Sequence, residues 1–511
     1  MCKNFFNAIT GLSLTFIFTL FFTLAFTIIT PSSSINFFAV RSAYALPMDW
    51  QGILAADTTS IGNFRRTNTP YQINPDRGSQ QIPVANGDST DASFQSYILR
   101  LAPSIVINDS ASFFGEITTG YNRGGFFGDG SAYKKGAAGS NSFGDALYLQ
   151  NTYSGNSNVA LSQFNVKLYT DSATYIIGRQ SFHWGLGAIM NSGEKTWDRY
   201  ATIQDGVTAK LKVGNFNFIP YYAKINSIRE LTKIDDTKSY GIGLLYDSVE
   251  RDMAFGILYG KRSSRDFNTF FQSSEGYNLG NAFISIVDLH FKKTLNKFSF
   301  AVEAPIISGD LGNVYSIEPN SSTSYKAYAV VAESSYKFNE SWSMGAMAGY
   351  VTGEDGEGPY YAAMYLNPNY KIANLLFNYN LQAVTGDTNQ SIYDSYVVNT
   401  RYLKLHGAYT NGTWTYSAGL INARANEVAK SGGGFAFNHT TNKRFNSNYS
   451  QEKNLGNEID LGVNYQWNSN VSLRANLGYL FVGDYYKYTN TEAALETKNC
   501  YSFVFGIATS F

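Results

Sequence analysis

Apolar and polar residues alternate with a period of two over long stretches of this chain, most clearly near its C terminus. Between residues 458 and 467, one face carries Ile459, Leu461, Val463, Tyr465 and Trp467. The other face carries Glu458, Asp460, Gly462, Asn464 and Gln466. Shorter alternating runs recur upstream, for example at 207–213, 253–259, 298–303 and 342–350. This pattern predicts β-strands whose two faces contact different environments.

Such alternation fits either a soluble β-sandwich or a transmembrane β-barrel. The predicted strands are about 10 residues or longer, near the ~9–11 residues that cross a bilayer and above the ~5–6 of ordinary strands. Aromatic residues cluster at strand ends, as at Trp467, Tyr479 and Phe481. Tight turns, such as those at 108–110, 170–172, 214–215 and 339–340, alternate with loops of about ten to more than thirty residues. Short periplasmic turns and long extracellular loops favour the barrel.

We therefore predict a single large antiparallel transmembrane β-barrel, an all-β fold of 18–20 strands, over residues 46–511. The strand number should be even if both termini are periplasmic. The first strand, near residues 50–56, has a weak pattern. Residues 139–158 and 360–380 fit neither a strand nor a loop clearly.

The N terminus carries the single long apolar run of the sequence, at about residues 8–30. Lys3 precedes this run, and Ala43-Tyr44-Ala45 supplies a small-x-small cleavage site. These features predict a signal peptide over 1–45, cleaved after Ala45, and location in a Gram-negative outer membrane. A retained anchor is the alternative, because the segment exceeds the usual ~15–30 residues.

Composition agrees with an exported β protein. The chain has 38 tyrosines, 37 phenylalanines and 46 glycines, whereas only 15% of its residues are charged. Its mean hydropathy of −0.21 excludes a polytopic helical membrane protein. Lys plus Arg and Asp plus Glu both count 39, so no nucleic-acid partner is expected. Once Cys2 leaves with the signal, Cys500 has no disulfide partner, and ladder hydrogen bonds must stabilise the fold.

Motifs for catalysis or cofactor binding do not occur. His183, His290, His406 and His439 are widely spaced and form no HExxH or CxxC-type site. We interpret His183 as a loop or rim residue. The glycine runs at 124–125 and 432–434 lack the Lys-Ser/Thr of a phosphate-binding loop. We expect neither an enzyme nor a bound cofactor or metal.

Charged residues on the polar faces are assigned to the lumen, because each would cost ~2–4 kcal/mol at the bilayer midplane on the lipid side. The pore-lining candidates are Arg100, Glu116, Lys167, Lys210, Lys212, Asp288, Lys292, Glu303, Glu333, Glu458, Asp460 and Arg474. We interpret most of them as a salt-bridge lattice that braces the wall, with selectivity left to those at a constriction.

The C terminus places an aromatic residue at its end and apolar residues at alternate positions before it. The shared face carries Tyr501, Phe503, Phe505, Ile507 and Phe511, with Thr509 as a polar departure. This strand resembles the targeting strand that the barrel-assembly machinery reads in outer-membrane proteins.

Three segments carry a second resemblance, to alginate-export-type porins. They are 455–461 (LGNEIDL), 477–484 (LGYLFVGD) and 177–180 (IGRQ). The 466 residues that remain after Ala45 also suit an 18-stranded barrel of that type. The resemblance implies a monomeric pore that conducts anions or sugars, without establishing alginate as the substrate.

The sequence thus predicts an outer-membrane pore for passive diffusion or export of small polar or anionic solutes or oligosaccharides. The alternative is a closed or loop-plugged barrel that acts as a surface adhesin or structural protein, using long loops such as 122–145 and 426–456. Expected partners are outer-membrane lipid and lipopolysaccharide, the barrel-assembly machinery, and a small solute or polysaccharide.

Overall fold

The computed structural model describes residues 48–63, 71–73, 81–83, 91–119, 125–126, 159–226, 237–264, 282–311, 323–357, 360–379, 381, 395–432, 434–439, 443–488 and 497–511. They belong to one compact unit, Pro47–Phe511. The predicted signal peptide 1–45, its cleavage after Ala45 and the ambiguous range 139–158 lie outside the described residues.

Strands make up almost all regular structure in these ranges. In chain order they are β1 (Met48–Gly62), β2 (Tyr71–Ile73), β3 (Gln81–Pro83), β4 (Ala92–Asn108), β5 (Ala111–Thr119), β6 (Gly125–Phe126), β7 (Val159–Tyr169), β8 (Ala173–Ser181), β9 (Ile203–Val213), β10 (Phe216–Asn226), β11 (Thr237–Ser248), β12 (Met253–Ser264), β13 (Ala282–Leu295), β14 (Phe298–Asp310), β15 (Ser324–Lys337), β16 (Trp342–Val351), β17 (Tyr360–Tyr361), β18 (Thr400–Asn411), β19 (Trp414–Ala425), β20 (Gly434–Asn438), β21 (Lys443–Ser447), β22 (Asn454–Gln466), β23 (Val471–Val482) and β24 (Cys500–Ser510). One 3-10 turn spans Asp484–Lys487. No helix in the described ranges is long and apolar enough to span a membrane.

Within the described residues, eighteen of these strands form a closed antiparallel ring: all except β2, β3, β6, β17, β20 and β21. The ring closes where β1 pairs with β24, from Ile53 opposite Ser510 to Gly62 opposite Tyr501. The prediction of 18–20 strands is confirmed at its lower bound. The weak first strand is a full wall strand, but the ambiguous range 360–380 contributes no wall strand.

Aromatic rings cover glycines at both ends of the closing seam. Phe511 and Gly52 exchange backbone hydrogen bonds of 2.8 and 3.1 Å. A Cβ on Gly52 would lie 2.3 Å from the Phe511 ring, and one on Gly62 would lie 2.1 Å from the Tyr501 ring. Only glycine leaves room for these rings, so the seam requires both residue types.

Connection length differs between the two ends of the barrel. We call one end the turn end, because the chain returns there at 109–110, 170–172, 214–215, 249–252, 296–297, 338–341, 412–413 and 467–470. Both termini of the barrel, Met48 and Phe511, also lie at this end. All longer connections lie at the opposite end, the loop end. The predicted asymmetry between turns and loops is confirmed.

The outer surface of the ring is apolar. Exposed side chains include Ile257, Leu289, Val330, Leu403, Leu420, Leu461, Phe503 and Ile507. Aromatic rings border this belt: Trp342 contacts Tyr409 and Trp414 contacts Tyr465 near the turn end, with ring centroids 4.6 and 4.4 Å apart. Exposed tyrosines follow near the loop end, among them Tyr222, Tyr240, Tyr259 and Tyr479. The surface therefore has the layout of a lipid-facing band between two aromatic girdles.

A charge in the middle of this belt should destabilise the barrel in lipid. Leu461→Arg, near the centre of β22, should cost ~2–4 kcal/mol, whereas Asn457→Arg should cost ~0–1 kcal/mol because it faces outward near the loop end of the same strand. Urea titration of the heat-modifiable barrel in lipid vesicles measures both. Equal losses in the two variants would contradict the depth that we assign to the belt.

Candidate functional site

Two chain segments fold into the barrel interior instead of continuing outward at the loop end. The first inward segment, residues 182–202, connects β8 to β9; the second, residues 361–379, lies between β16 and β18. Both have buried apolar side chains, including Trp184, Ile189, Met364, Leu366, Ile372 and Leu375. These side chains share one hydrophobic cluster with wall residues such as Ile284, Ile286, Ile307 and Val331. The interior is therefore partly a packed core.

Direct hydrogen bonds join the two inward segments. The Asn367 amide donates to the Ala188 carbonyl at 2.6 Å. The Asn369 side chain donates to the Tyr200 carbonyl at 2.8 Å and accepts the Tyr200 amide at 3.3 Å. Together the segments form one structure across the lumen.

Charged wall residues hold the backbone of the first inward segment. The buried Glu303 carboxylate on β14 accepts the amides of Leu186 and Ala188, the latter at 3.2 Å. The Arg100 guanidinium on β4 donates to the carbonyls of Gly193, Lys195 and Thr196 at 2.7, 2.6 and 2.9 Å. Charge-assisted bonds of this kind offset the cost of removing an ionised group from water.

A similar set of wall residues holds the second inward segment. Glu458 on β22 accepts the amides of Leu375 and Leu376 at 2.7 and 2.8 Å, where a tight turn begins. Asp460 accepts the Asn374 amide at 3.2 Å. Lys404 on β18 donates to the Ile372 carbonyl at 2.8 Å and lies 3.9 Å from Asp460.

These contacts change the role of several predicted lumen residues. We interpret most of the candidates as a salt-bridge lattice of the wall, but Arg100, Glu303 and Glu458 bind backbone groups of the inward segments, and Asp460 does so beside its ion pair with Lys404. The sequence pattern located their face of the strand and not their partners, because the partners lie far away in sequence.

Arg474 does form part of a charged cluster, around a residue that the sequence analysis missed. Its guanidinium lies 3.0 Å from Asp57 on β1 and stacks 3.3 Å over the Trp197 ring. Arg199 of the first inward segment lies 3.3 Å from the same carboxylate. Asp57 is on the polar face of β1, so the alternation could have identified it had the first strand been assigned its full length.

A cavity of about 670 Å³ lies between the first inward segment and the wall. Its charged lining residues are Arg100, Glu116, Lys167, Glu194 and Lys210. Gln163, Asn165, Gln180 and Thr208 add polar groups, and Gln51, Ser510 and Phe511 extend the lining to the turn end. His183 also lines the cavity; it therefore lies in a loop, as interpreted, but inside the barrel and not at the rim.

Apart from Glu116, which lines the cavity, the remaining candidates do not join this site. Glu116 accepts hydrogen bonds from Ser162 and Gln163 at 2.5 and 3.3 Å. Asp288 is buried on β13, two residues from His290, which pairs with Glu303 on β14. Glu333 is half-buried, and Lys212 and Lys292 are exposed near the turn end. No group of three or more metal-ligating side chains occurs among the described residues.

A hairpin at the loop end binds the start of the second inward segment. This hairpin, β20–β21, carries His439, whose Nε2 accepts the Glu354 amide at 2.9 Å and whose carbonyl accepts the Tyr365 hydroxyl at 3.2 Å. The Glu354 carboxylate accepts the amides of Gly356 and Ala362 at 3.0 and 2.7 Å. Burial raises the pKa of Glu354 to about 7 and lowers the pKa of His439 to about 3.

No protein-family model matches the sequence, and no curated protein matches it. Among solved structures, Acinetobacter baumannii OccAB4 is similar over 91% of this chain and 99% of its own, with 11% identity and a TM-score of 0.45. Pseudomonas aeruginosa OpdK with vanillate is similar over 91% and 99%, with 11% identity and a TM-score of 0.44. Vibrio cholerae OmpT, an outer membrane protein, is similar over 91% and 97%, with 10% identity and a TM-score of 0.35. The architecture described above rests on the strand pairing of the chain itself.

Removing the Glu458 carboxylate should release the second inward segment. Glu458→Ala leaves the Leu375 and Leu376 amides without their acceptor, and each lost charge-assisted bond is worth ~1.5–3 kcal/mol. Hydrogen exchange at residues 372–379 should rise by about tenfold or more. Glu340→Ala, the same substitution in an exposed turn, is the control and should leave this exchange unchanged. Unchanged exchange in Glu458→Ala would rule out the anchoring role.

Glu354 and His439 should give the hairpin opposite responses to acid. Because the pKa of Glu354 is raised, this residue stabilises the bound hairpin below about pH 4.5, and the stabilisation is lost as the pH rises towards 7. Because the pKa of His439 is lowered, this residue stabilises the bound hairpin above about pH 6.5, and the stabilisation is lost as the pH falls towards 3.

Between pH 7 and pH 5 the two effects should nearly cancel in the native protein. Protease cleavage of the hairpin should then increase at pH 5 in Glu354→Gln and decrease at pH 5 in His439→Gln, each by about tenfold. Identical pH profiles in the native protein and both variants would contradict the assignment.

Proposed function

We propose that this protein is a monomeric outer-membrane pore, narrowed by two inward segments, that passes small polar or anionic solutes. The closed hydrogen-bonded ring and the apolar outer belt between aromatic girdles support membrane insertion. Short turns and both termini at one end support a periplasmic turn end and an extracellular loop end.

The cavity beside the first inward segment carries this proposal. It extends from the turn end into the barrel, and its volume of about 670 Å³ suits a small-molecule solute. Its lining has three basic residues, Arg100, Lys167 and Lys210, against two acidic ones, Glu116 and Glu194. This excess of positive charge favours anions. A sugar acid or short acidic oligosaccharide, the class implied by the resemblance to alginate-export-type porins, fits this chemistry.

The outer face of the last strand suggests which partners contact the protein during and after assembly. Tyr501, Phe503, Phe505, Ile507 and Phe511 are exposed on the outside of β24. We propose that the barrel-assembly machinery reads this face before the β1–β24 seam closes, and that outer-membrane lipid and lipopolysaccharide cover it afterwards.

A specific observation favours the alternative of a closed barrel. The inward segments and the wall share one hydrophobic cluster, and such a core could seal the lumen. The protein would then act as a surface adhesin or structural protein through the segments at its loop end. Conductance separates the two proposals.

Charge reversal in the cavity should change conduction. The purified protein should conduct in a planar bilayer and prefer chloride over potassium. Lys167→Glu combined with Lys210→Glu should lower this anion preference several-fold or reverse it, because both ammonium groups line the cavity. Lys293→Glu, on the outer face near the turn end, is the matched control and should preserve the preference. A correctly folded protein without conductance would refute the pore and leave the closed barrel.

A further inference from the structure

One row of residues crosses the closing seam on the inner face of the barrel. Ser96 on β4 lies opposite Asp57 on β1. Asp57 lies opposite Gly506 on β24, and Gly506 lies opposite Arg474 on β23. The row therefore runs over four neighbouring strands, two on each side of the seam between β1 and β24. Its two charged members, Asp57 and Arg474, stand on opposite sides of that seam.

Hydrogen bonds of the Asp57 carboxylate tie this row together. The Arg474 guanidinium donates to it from β23 at 3.0 Å, and the Ser96 hydroxyl donates to it from β4. Arg474 reaches Asp57 across β24 at the position of Gly506, where a Cβ would lie 3.1 Å from the Arg474 Nε atom. Glycine permits this close approach. One buried carboxylate thus joins the two strands, β4 and β23, that flank the seam pair.

Part of the first inward segment, residues 193–199, lies over this row, and we call it the clasp. The Trp197 ring packs against a small apolar cluster that contains Ala55 of β1 and Ala508 of β24. The ring also covers Gly506, where a Cβ would be 2.7 Å away. Small residues on both seam strands therefore leave room for the indole, and the ring contacts both sides of the seam.

Two arginines hold the clasp to the β1 side of the seam. The Arg199 guanidinium donates to the Asp57 carboxylate at 3.3 Å and to the Ser96 hydroxyl at 2.5 Å. Arg100 on β4 donates to three carbonyls of the clasp, at 2.6–2.9 Å. Trp197 adds the contact with β24. The clasp can make all of these contacts at once only when β1 lies beside β24.

We propose that the clasp couples closure of the barrel seam to the inward position of the first inward segment. Before β1 pairs with β24, the two parts of its contact surface lie at opposite edges of the open sheet, where backbone groups are unpaired. Contacts that exist only in the closed ring stabilise it against opening. By linkage, the closed ring stabilises the inward position of the segment to the same extent. A closed barrel that lacks this narrowing segment is thereby disfavoured.

Hydrogen exchange of the folded full-length protein in lipid vesicles tests the clasp from the side of the inward segment. Trp197→Ala combined with Arg199→Gln removes both side-chain contacts and changes no strand residue. This double variant should raise exchange by about tenfold or more at the seam amides of residues 55–59 and 504–508. Arg199→Gln alone, which keeps the ring, is the milder variant and should give a smaller rise at the same amides. Unchanged seam exchange in the folded variants would overturn the proposal.

Trp184→Ala is the matched control, because Trp184 belongs to the same inward segment but packs on a different part of the wall. It covers Gly243 of β11 and Gly256 of β12, where a Cβ would lie 2.9 Å from its ring. This variant should raise exchange in the β11–β12 pair and leave the seam amides unchanged. A seam response equal to that of the clasp variant would reduce the clasp to ordinary packing of the segment and refute the coupling.

A disulfide across the seam locks it without changing the clasp. Thr59 on β1 and Val504 on β24 lie opposite each other, with both side chains buried inside the barrel. Gly52 and Phe511 exchange two backbone hydrogen bonds at the turn end of the seam. The alternation from there makes Thr59 and Val504 a non-hydrogen-bonded pair, the kind with the closer Cα atoms. Cysteines at these two positions, in a Cys500→Ser background, therefore suit a disulfide.

Locking the seam should stabilise the inward segment only where the clasp is intact. Oxidation of Thr59→Cys with Val504→Cys should slow hydrogen exchange several-fold at the Thr202 amide, which donates to a carbonyl within the segment. It should have no such effect when Trp197→Ala and Arg199→Gln are also present. An equal effect of oxidation with and without the clasp, or no effect in either protein, would contradict the coupling.

The clasp does not depend on the proposed pore, and conductance of the native protein in the same vesicles tests the pore independently. Seam and segment effects in a folded barrel that does not conduct would refute the pore and leave the clasp. A conducting barrel without those effects would refute the clasp alone.

Discussion

Backbone amide and carbonyl groups must form hydrogen bonds wherever water is excluded, and this requirement governs both the wall and the interior of the protein. In the wall, neighbouring strands satisfy it, and the pairing of β1 with β24 leaves no open edge. In the interior, the described residues of the inward segments lie outside the strand ladders and form only scattered backbone bonds, such as that of the Leu366 amide with the Val397 carbonyl. Charged wall side chains therefore supply the missing acceptors and donors, with Glu303 and Glu458 binding amides and Arg100 binding carbonyls.

This use of charge explains how a barrel can contain a hydrophobic core and still keep a polar cavity. Anchoring at Glu303 and Arg100 fixes the first inward segment against one side of the wall, and the hydrogen bond of the Asn367 amide to the Ala188 carbonyl joins the second segment to the first. The apolar side chains of both segments then pack together. Lys167 and Lys210 line the cavity beside the first segment. Arg100 both anchors this segment and lines the cavity.

On the outer face of the wall, the alternate side chains are apolar where those of the inner face are polar. Apolar side chains occupy the middle of each strand, and tyrosines and then basic residues follow towards the loop end, as from Ile257 through Tyr259 to Lys261. This order matches the change from hydrocarbon to headgroup across a leaflet. The inner faces of the wall strands thus line the cavity, and their outer faces carry the apolar belt.

The sequence by itself determined the wall, because a strand pattern is local: residues 458–467 alternate, and each alternate side chain must face the same way. It also located the short turns and the inward face of Glu303, Glu458 and Arg474. Only the tertiary structure decided what those residues bind, since Glu458 and Leu375 are more than eighty residues apart. Residues 361–379 have no period because most of their side chains are buried in the barrel interior, and Asp57 gained its partners only when the ring closed. Local periodicity fixes which environment a side chain faces, whereas contacts between distant segments decide its role.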